Sequence, residues 1–169
     1  SWKGTTNGPI RLASVYDGEV YDANFEIPNW NTVAFNDAKW KSVEVEAIAK
    51  DVKLAPKRHH TVKNQIALND VEIVSVKENT SVFNMKQNIV GVPRVKVPMK
   101  KGDTLKIRFS EMLLKDNTFY TKNYRSAKST DYYVAAKDGV VEYVPKFTFH
   151  GFQFLELSGY DKNAKPDAS

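Results

Sequence analysis

Short runs in which apolar and polar residues alternate dominate this sequence, and they limit what it can fold into. Leu105 and Ile107 alternate with polar neighbours, as do Val43 and Val45, and this pattern is typical of a strand with one buried and one solvated face. Apolar residues do not recur with the helical period over three turns, and the nearest candidate, residues 35–41, is too short to stand alone. Many short strands without intervening helices predict an all-β protein, namely an antiparallel, jelly-roll-like β-sandwich.

Residues that are typical of turns and bulges interrupt these runs. Asp138 and Gly139 separate two β-rich segments, and Asp-Gly in that setting predicts a hairpin, because a type I′ turn needs positive φ at its central residues. The run at residues 71–76 is apolar on both sides, which predicts a strand covered on both faces. Gly151 interrupts the last strong run and predicts either a bulge or a close backbone approach.

The polar segments indicate how the chain is organised. Residues 116–130 lack alternation and predict a long surface loop, a type of segment that often carries function on a β scaffold. Residues 50–60 are basic and contain Pro56, and the residues before them supply only three short strands, too few for an independent core. The predicted division is therefore residues 1–55, 56–162 and a tail at 163–169.

Composition excludes several classes of protein. Cysteine is absent, which removes disulfide frameworks, thiolate zinc sites and cysteine nucleophiles. Lys and Arg number 25 against 20 Asp and Glu, a net charge of +5 with the two signs interspersed. No aromatic RNA-binding motif accompanies them, so no nucleic-acid partner is expected. No run approaches the ~20 apolar residues of a membrane helix, so no membrane partner is expected either.

Motifs for hydrolysis and nucleotide binding do not stand out in the sequence. It contains no serine nucleophile elbow, P-loop or dinucleotide-binding glycine motif. Glycosidases use two carboxylates about 5–10 Å apart, but none of the carboxylates here has a recognisable catalytic context. His59 and His60 would point in opposite directions on a strand, a poor arrangement for a metal, and His150 is expected to make a local hydrogen bond.

An acidic cluster near the start of the chain is a candidate calcium site. Asp17, Glu19 and Asp22 lie within six positions, and Ca²⁺ takes about six to eight oxygen ligands. The alternative is a solvated Asp-Gly turn followed by an edge strand. In that strand Asp17 and Glu19 would share one face while Asp22 would lie on the other.

Aromatic residues in the first forty positions are candidates for carbohydrate binding. Trp30, Trp40, Tyr16 and Tyr21 offer flat faces that could stack on sugar rings. The alternative is that they belong to the core of a small β domain. Trp30 lies between two asparagines, and these polar neighbours favour its exposure.

Several segments, taken in order and at their spacing, form a familiar set. Phe147-Thr148-Phe149-His150-Gly151-Phe152 is one of them. Together they resemble the bacterial α-L-rhamnosidases over nearly the whole chain. Lys86 stands where that family usually has glycine, and Val92 where it usually has tryptophan. The other resembling segments are residues 7–10, 16–23, 35–40, 82–91, 105–111 and 123–132, with Trp30 between the second and the third.

This resemblance implies an accessory region of a larger enzyme. Residues 1–55 would end the family's lectin-like N-terminal module, and 56–162 would form the β-sandwich that precedes a catalytic α/α barrel. The parent would be a periplasmic or extracellular enzyme that removes terminal L-rhamnose from plant glycans, extending beyond both ends of this sequence. In that family the catalytic acid and base lie on the barrel, so the resemblance implies no catalytic residue in this chain.

Two roles for such a region follow from the resemblance. As a structural module it would support the catalytic barrel, its partner in the same chain. As a carbohydrate-binding module it would hold a rhamnosylated glycan through Trp30, Tyr16, Tyr21 and carboxylates near Asp17, with or without Ca²⁺. The structural role is the first expectation, because the aromatic candidates could equally belong to the core.

Overall fold

A computed structural model describes residues 2–161 and 163–164, so the predicted tail lies mostly outside the described residues. Within that part of the chain regular structure consists of β-strands and two 3-10 helices, Ala23–Phe25 and Lys122–Tyr124. None of its helices has the length and apolar character needed to cross a membrane. The strands are β1 Lys3–Gly4, β2 Ile10–Ser14, β3 Gly18–Asp22, β4 Lys41–Ser42, β5 Glu72–Lys77, β6 Thr80–Gly91, β7 Val95–Met99, β8 Thr104–Ser110, β9 Thr130–Val134, β10 Gly139–Tyr143 and β11 His150–Ser158.

The strands form one large sheet and two small ones. The large sheet has seven strands in the order β2-β3-β9-β8-β11-β6-β5, while β7 pairs with β10 and β1 pairs with β4. All neighbours are antiparallel except β3 and β9, which run parallel. The all-β prediction is confirmed and the large sheet is mixed, whereas the jelly-roll connectivity stays a prediction.

The core lies between the seven-stranded sheet and the β7/β10 pair. Leu105, Ile107 and Phe109, at alternate positions of β8, are fully or almost fully buried, as their spacing predicts. The two-stranded sheet contributes Val97 and Val141 to the same cluster. Burial of such side chains stabilises the fold by about 1.5–3 kcal/mol each, so the two layers hold together through this shared apolar face.

Asp138 and Gly139 do not close a hairpin, contrary to the sequence prediction. β9 lies in the large sheet and β10 in the small one, so this segment crosses between layers, as does the Gly102 turn between β7 and β8. The two crossings lie side by side, because the Gly102 N–H donates to the Ala135 carbonyl (2.8 Å) and the Lys101 N–H donates to the Asp138 carboxylate (2.7 Å). Gly139 does adopt a positive φ of 130°. Asp138 is not among the residues with positive φ, so neither the type I′ turn nor the predicted pairing forms here.

The apolar run at residues 71–76 also differs from its prediction. β5 is an edge strand of the large sheet, and its Ile73 and Val76 are exposed. A run that is apolar on both sides therefore does not here indicate cover on both faces. Likewise Val43 and Val45 follow β4 without belonging to a strand.

The irregularity expected near Gly151 lies in the neighbouring strand. Phe152 of β11 pairs with Ile89 of β6, whereas Phe154 pairs with Asn84, so residues 85–88 of β6 bulge outward against a single residue of β11. A Cβ on Gly151 would meet no atom within 4 Å, which excludes the close approach. The bulge was predicted in the last strand, and it lies instead in β6, the strand paired with it.

Candidate functional site

A surface cleft of ≈ 520 Å³ lies between the tip of the β2/β3 hairpin and the loop that leads into β9. The two walls are joined by backbone hydrogen bonds, from the Ser129 N–H to the Tyr16 carbonyl (3.0 Å) and from the Thr130 N–H to the Asp17 carbonyl (3.1 Å). The cleft is lined by Ser14, Tyr16, Asp17, Tyr124, Arg125, Ser126, Ala127 and Lys128.

The hairpin tip owes its shape to Ser14 and Gly18. The Ser14 hydroxyl accepts hydrogen bonds from the Tyr16 and Asp17 N–H groups (both 3.2 Å), a local bond that favours a turn over continued strand. Gly18 has a φ of 109°, and a Cβ there would clash with the Thr130 carbonyl. Glycine therefore lets β3 lie against β9. Tyr16, at the tip of the hairpin, is 71 % exposed.

The opposite wall is an ordered polar loop, as predicted for residues 116–130. The Glu111 N–H donates to the Tyr124 hydroxyl (3.0 Å), and burial raises the pKa of Tyr124 above its usual value. Arg125 and Ser129 have φ of 56° and 43°, backbone conformations that cost about 1–2 kcal/mol each for residues other than glycine. Strained positions of this kind cluster at ligand sites. The loop therefore holds its side chains at some energetic cost.

Two cations in this wall have no partner within the described part of the chain. The Arg125 guanidinium and the Lys128 ammonium form no ion pair or hydrogen bond with the residues described. Asp17 is the single carboxylate that lines the cleft. The cleft therefore presents an aromatic face and polar groups that are available to a ligand.

A buried carboxylate anchors the hairpin beside the cleft. Glu19 is completely buried, and it accepts hydrogen bonds from the Tyr143 hydroxyl (2.7 Å) and from the N–H groups of Lys146 (3.1 Å) and Phe147 (2.8 Å). Burial, followed by the bond to Glu19, raises the pKa of Tyr143 far above its usual value. This network joins β3 to the β7/β10 sheet.

A second buried carboxylate, Asp131, joins the hairpin to the last strand. Its Oδ1 accepts from the Glu19 N–H (2.8 Å) and lies 3.0 Å from Nε2 of His150, while Nδ1 of His150 lies 3.3 Å from the Ser129 hydroxyl. The imidazole stacks on Phe109 with ring centroids 4.0 Å apart. His150 thus makes the local hydrogen bonds expected of it, and Asp131 Oδ2 has no partner among the described atoms.

The predicted calcium cluster does not form. Glu19 turns into the interior, and Asp22 caps the first 3-10 helix by accepting from the Asn24 N–H (3.0 Å). In the region that the structure describes, no group of three or more acidic or histidine residues is placed to hold a metal ion. The three residues are not grouped because the parallel pairing of β3 with β9, which no local sequence pattern shows, buries Glu19.

The four predicted aromatic residues do not share one site. Tyr16 lines the cleft, and Trp30 is 61 % exposed elsewhere. Tyr21 stacks on Tyr133 with centroids 5.6 Å apart, and its hydroxyl donates to Glu26 (2.7 Å). Burial, then the bond to Glu26, raises the pKa of Tyr21 far above its usual value. Tyr21 therefore belongs to the packing between sheets.

Trp40 borders a second depression. It packs against Phe35 with centroids 5.3 Å apart and lies beside a hollow of ≈ 450 Å³ whose single carboxylate is Glu26. Neither this hollow nor the first cleft brings together the two carboxylates that glycosidases use. Sequence reasoning missed Arg125 and Lys128, and its only signal for them was the long polar loop.

Comparison with known proteins gives consistent results. The bacterial α-L-rhamnosidase concanavalin-like domain matches residues 74–168, and the α-L-rhamnosidase N-terminal domain matches residues 1–66. An α-L-rhamnosidase from Formosa agariphila is 57 % identical over 166 residues, and one from Alteromonas sp. (strain LOR) is 48 % identical over 166 residues. Each comparison covers 98 % of this chain and 18 % of the relative.

Similar solved structures are also α-L-rhamnosidases. The α-L-rhamnosidase from Dictyoglumus thermophilum superposes with a TM-score of 0.79 at 32 % identity, covering 96 % of this chain and 18 % of that one. The enzyme from Aspergillus terreus gives a TM-score of 0.78 at 29 % identity over 95 % of this chain and 18 % of that one. Since the concanavalin-like domain alone matches more than half of the sequence, the chain belongs to the bacterial α-L-rhamnosidase family.

Proposed function

We propose that the chain is a non-catalytic accessory part of an α-L-rhamnosidase and supports the catalytic domain of the same protein. The observation that carries this proposal is that 98 % of the chain aligns with α-L-rhamnosidases but covers only 18 % of their length. The cleft at Tyr16 and the hollow at Trp40 are each lined by one carboxylate, whereas glycosidases use two. This favours a role outside the hydrolysis of the glycosidic bond. The parent enzyme would act on terminal L-rhamnose of plant glycans, in the periplasm or outside the cell.

The accessory role is tested by assaying this chain and the full-length parent on p-nitrophenyl α-L-rhamnoside. The parent should release p-nitrophenol, while the chain alone should release none above the rate without protein. Release by the chain alone would show that it is catalytic. Inactivity of the parent would remove the rhamnosidase assignment.

Carbohydrate recognition is a second candidate function, and the cleft at Tyr16 favours it. The tip exposes the Tyr16 ring, and aromatic faces of this kind stack on the C–H faces of sugars while polar groups at the rim bond the hydroxyls. Asp17, Arg125 and Lys128 supply such a rim. In this role the chain would bind a rhamnose-containing glycan at the cleft, with Trp30 outside the site.

The binding role is tested by titrating the chain with L-rhamnose to tens of millimolar, with and without Ca²⁺, while following amide chemical shifts. Binding at the cleft should shift amides at Tyr16 and in residues 124–128, and Tyr16→Ala should abolish those shifts. Trp2→Ala is the matched control, since Trp2 is exposed and does not line the cleft. The absence of any shift would reject recognition of rhamnose here.

A further inference from the structure

The segment between β4 and β5, residues 43–71, contains no strand or helix, and we call it the strap. All of its residues are exposed except Leu68 and Val71, which are half-buried. Seven of its nine large aliphatic residues, spread from residue 43 to residue 66, are between 47 % and 91 % exposed. They are Val43, Val45, Ile48, Val52, Leu54, Val62 and Ile66.

Such a series is unusual for a surface segment. Single exposed aliphatic residues are ordinary, but a large exposed apolar set marks an interaction surface. The backbone of the strap is also largely unpaired within the described residues. Its ordered backbone hydrogen bonds are those of the Val43 N–H to Trp2 (3.2 Å) and the Val52 N–H to Ala49 (3.0 Å). The strap therefore offers both apolar side chains and free backbone groups to a partner.

The charge of the middle of the strap, residues 50–63, constrains that partner, whereas the strap as a whole is nearly neutral because it also contains Glu44, Glu46 and Asp70. Between residues 50 and 63 cations outnumber carboxylates, since Asp51 is the only acidic residue there. A partner surface that accepts this segment needs an apolar floor for the aliphatic side chains and carboxylates along its border. The cations of this stretch are Lys50, Lys53, Lys57, Arg58 and Lys63.

We infer that the strap docks into an apolar groove on the catalytic domain of the same protein, and that carboxylates border the part of the groove that accepts residues 50–63. This inference rests on the proposed function, because the partner that binds the strap is the catalytic domain of the parent protein. The matches to the Formosa and Dictyoglumus enzymes cover 98 % and 96 % of this chain, so they include most or all of the strap. In those enzymes the matched region is accompanied by several times its own length of further chain, which supplies a surface that this chain lacks.

Limited trypsin digestion tests the docking, since the strap's own Lys and Arg are trypsin sites. In the full-length parent, cleavage between residues 50 and 63 should be at least about tenfold slower than in this chain alone. Leu54→Asp in the parent should restore fast cleavage, because a buried aspartate would oppose docking. Val140→Asp is the matched control, since Val140 is exposed on β10 outside the strap. It should leave cleavage of the strap unchanged.

Amide hydrogen exchange of the parent gives a second measurement that does not depend on the variants folding. Docking predicts protected amides in residues 43–71 of the parent and unprotected ones in this chain alone. Equal cleavage and equal exchange in the two proteins would overturn the inference, as would protection through self-association of this chain in sedimentation. A parent that hydrolyses p-nitrophenyl α-L-rhamnoside with an unprotected strap would refute the docking alone. An inactive parent would refute the proposed function instead.

Discussion

Gly18 lies where the hairpin meets β9, at a point that has no room for a side chain. We expect Gly18→Ala to destabilise the protein by about 3 kcal/mol or more, since the Cβ clashes with the Thr130 carbonyl and φ is 109°. Gly102→Ala is the control, because Gly102 has a φ of 87° but open space around it. It should cost only the conformational penalty of about 1–2 kcal/mol. Urea unfolding measures both, and equal losses would contradict the steric explanation.

Tyr143 makes stability depend on alkaline pH. Its pKa in the folded protein is raised above the unfolded value of about 10. The folded state therefore favours the neutral phenol, and this contribution is complete below pH ~10 and is lost as the pH rises above it. We expect Tyr143→Phe to be less stable at pH 7, because Glu19 loses a donor. Its stability should also decline less steeply than that of the wild type between pH 10 and 12.

Removing Tyr143 removes both a hydrogen bond and a titrating phenol, and a control variant that loses only a hydrogen bond separates these two effects. The Thr148 hydroxyl donates to the Ser14 carbonyl (3.1 Å), so Thr148→Val removes a partly buried hydrogen bond but no titrating phenol. Unfolding free energies measured from pH 8 to 12 should show it lowering the curve without changing its slope. If Tyr143→Phe declined in parallel with the wild type, the raised pKa would not contribute to stability.

Among the elements, the bulge in β6 contains a residue that the backbone disfavours. Lys86 has a φ of 62°, in the region that favours glycine, which gives a physical reason to expect glycine here, as the family resemblance does. We expect Lys86→Gly to be more stable than Asp70→Asn by up to about 1 kcal/mol. Both variants lose the exposed ion pair between Lys86 and Asp70, so their difference isolates the backbone term. A less stable Lys86→Gly in thermal or urea unfolding would contradict this reason.

The elements also show what alternation can and cannot predict. β8 was correctly predicted from its period of two, because Leu105 and Ile107 both face the core. The prediction that β5 is covered on both faces was wrong, since the apolar residues of a strand do not indicate whether it lies at the centre or at the edge of a sheet. The segment at Asp138 was misjudged for a related reason, as turn chemistry fixes local φ but not the sheet to which the next strand belongs.

At the scale of the whole molecule, β2 and β3, near the start of the chain, are part of the large sheet. β3 pairs with β9, and the Glu19 carboxylate accepts hydrogen bonds from the Tyr143 hydroxyl and from two backbone N–H groups. We expect deletion of residues 2–25 to abolish cooperative unfolding and the near-ultraviolet circular dichroism, because buried donors and Asp131 lose their partners. Deletion of residues 2–8 keeps both strands and should retain a single sharp transition. If the larger deletion unfolded as cooperatively as the smaller one, the first strands would not be integral to the fold.

The sequence alone determined that this protein is all-β and where most of its strands and its long loop lie, because alternation and turn residues act over a few positions. The family resemblance came separately, from the order and spacing of several short segments. Tertiary structure alone decided the fate of Glu19 and Tyr21. Both were candidate ligands, with packing in the core as the alternative for Tyr21. Glu19 is fully buried and Tyr21 packs half-buried on Tyr133, since the parallel pairing of β3 with β9 joins segments more than a hundred residues apart. It also decided that Tyr16 meets Arg125 and Lys128 in one cleft. Such long-range contacts depend on how sheets pack, and no local pattern encodes them.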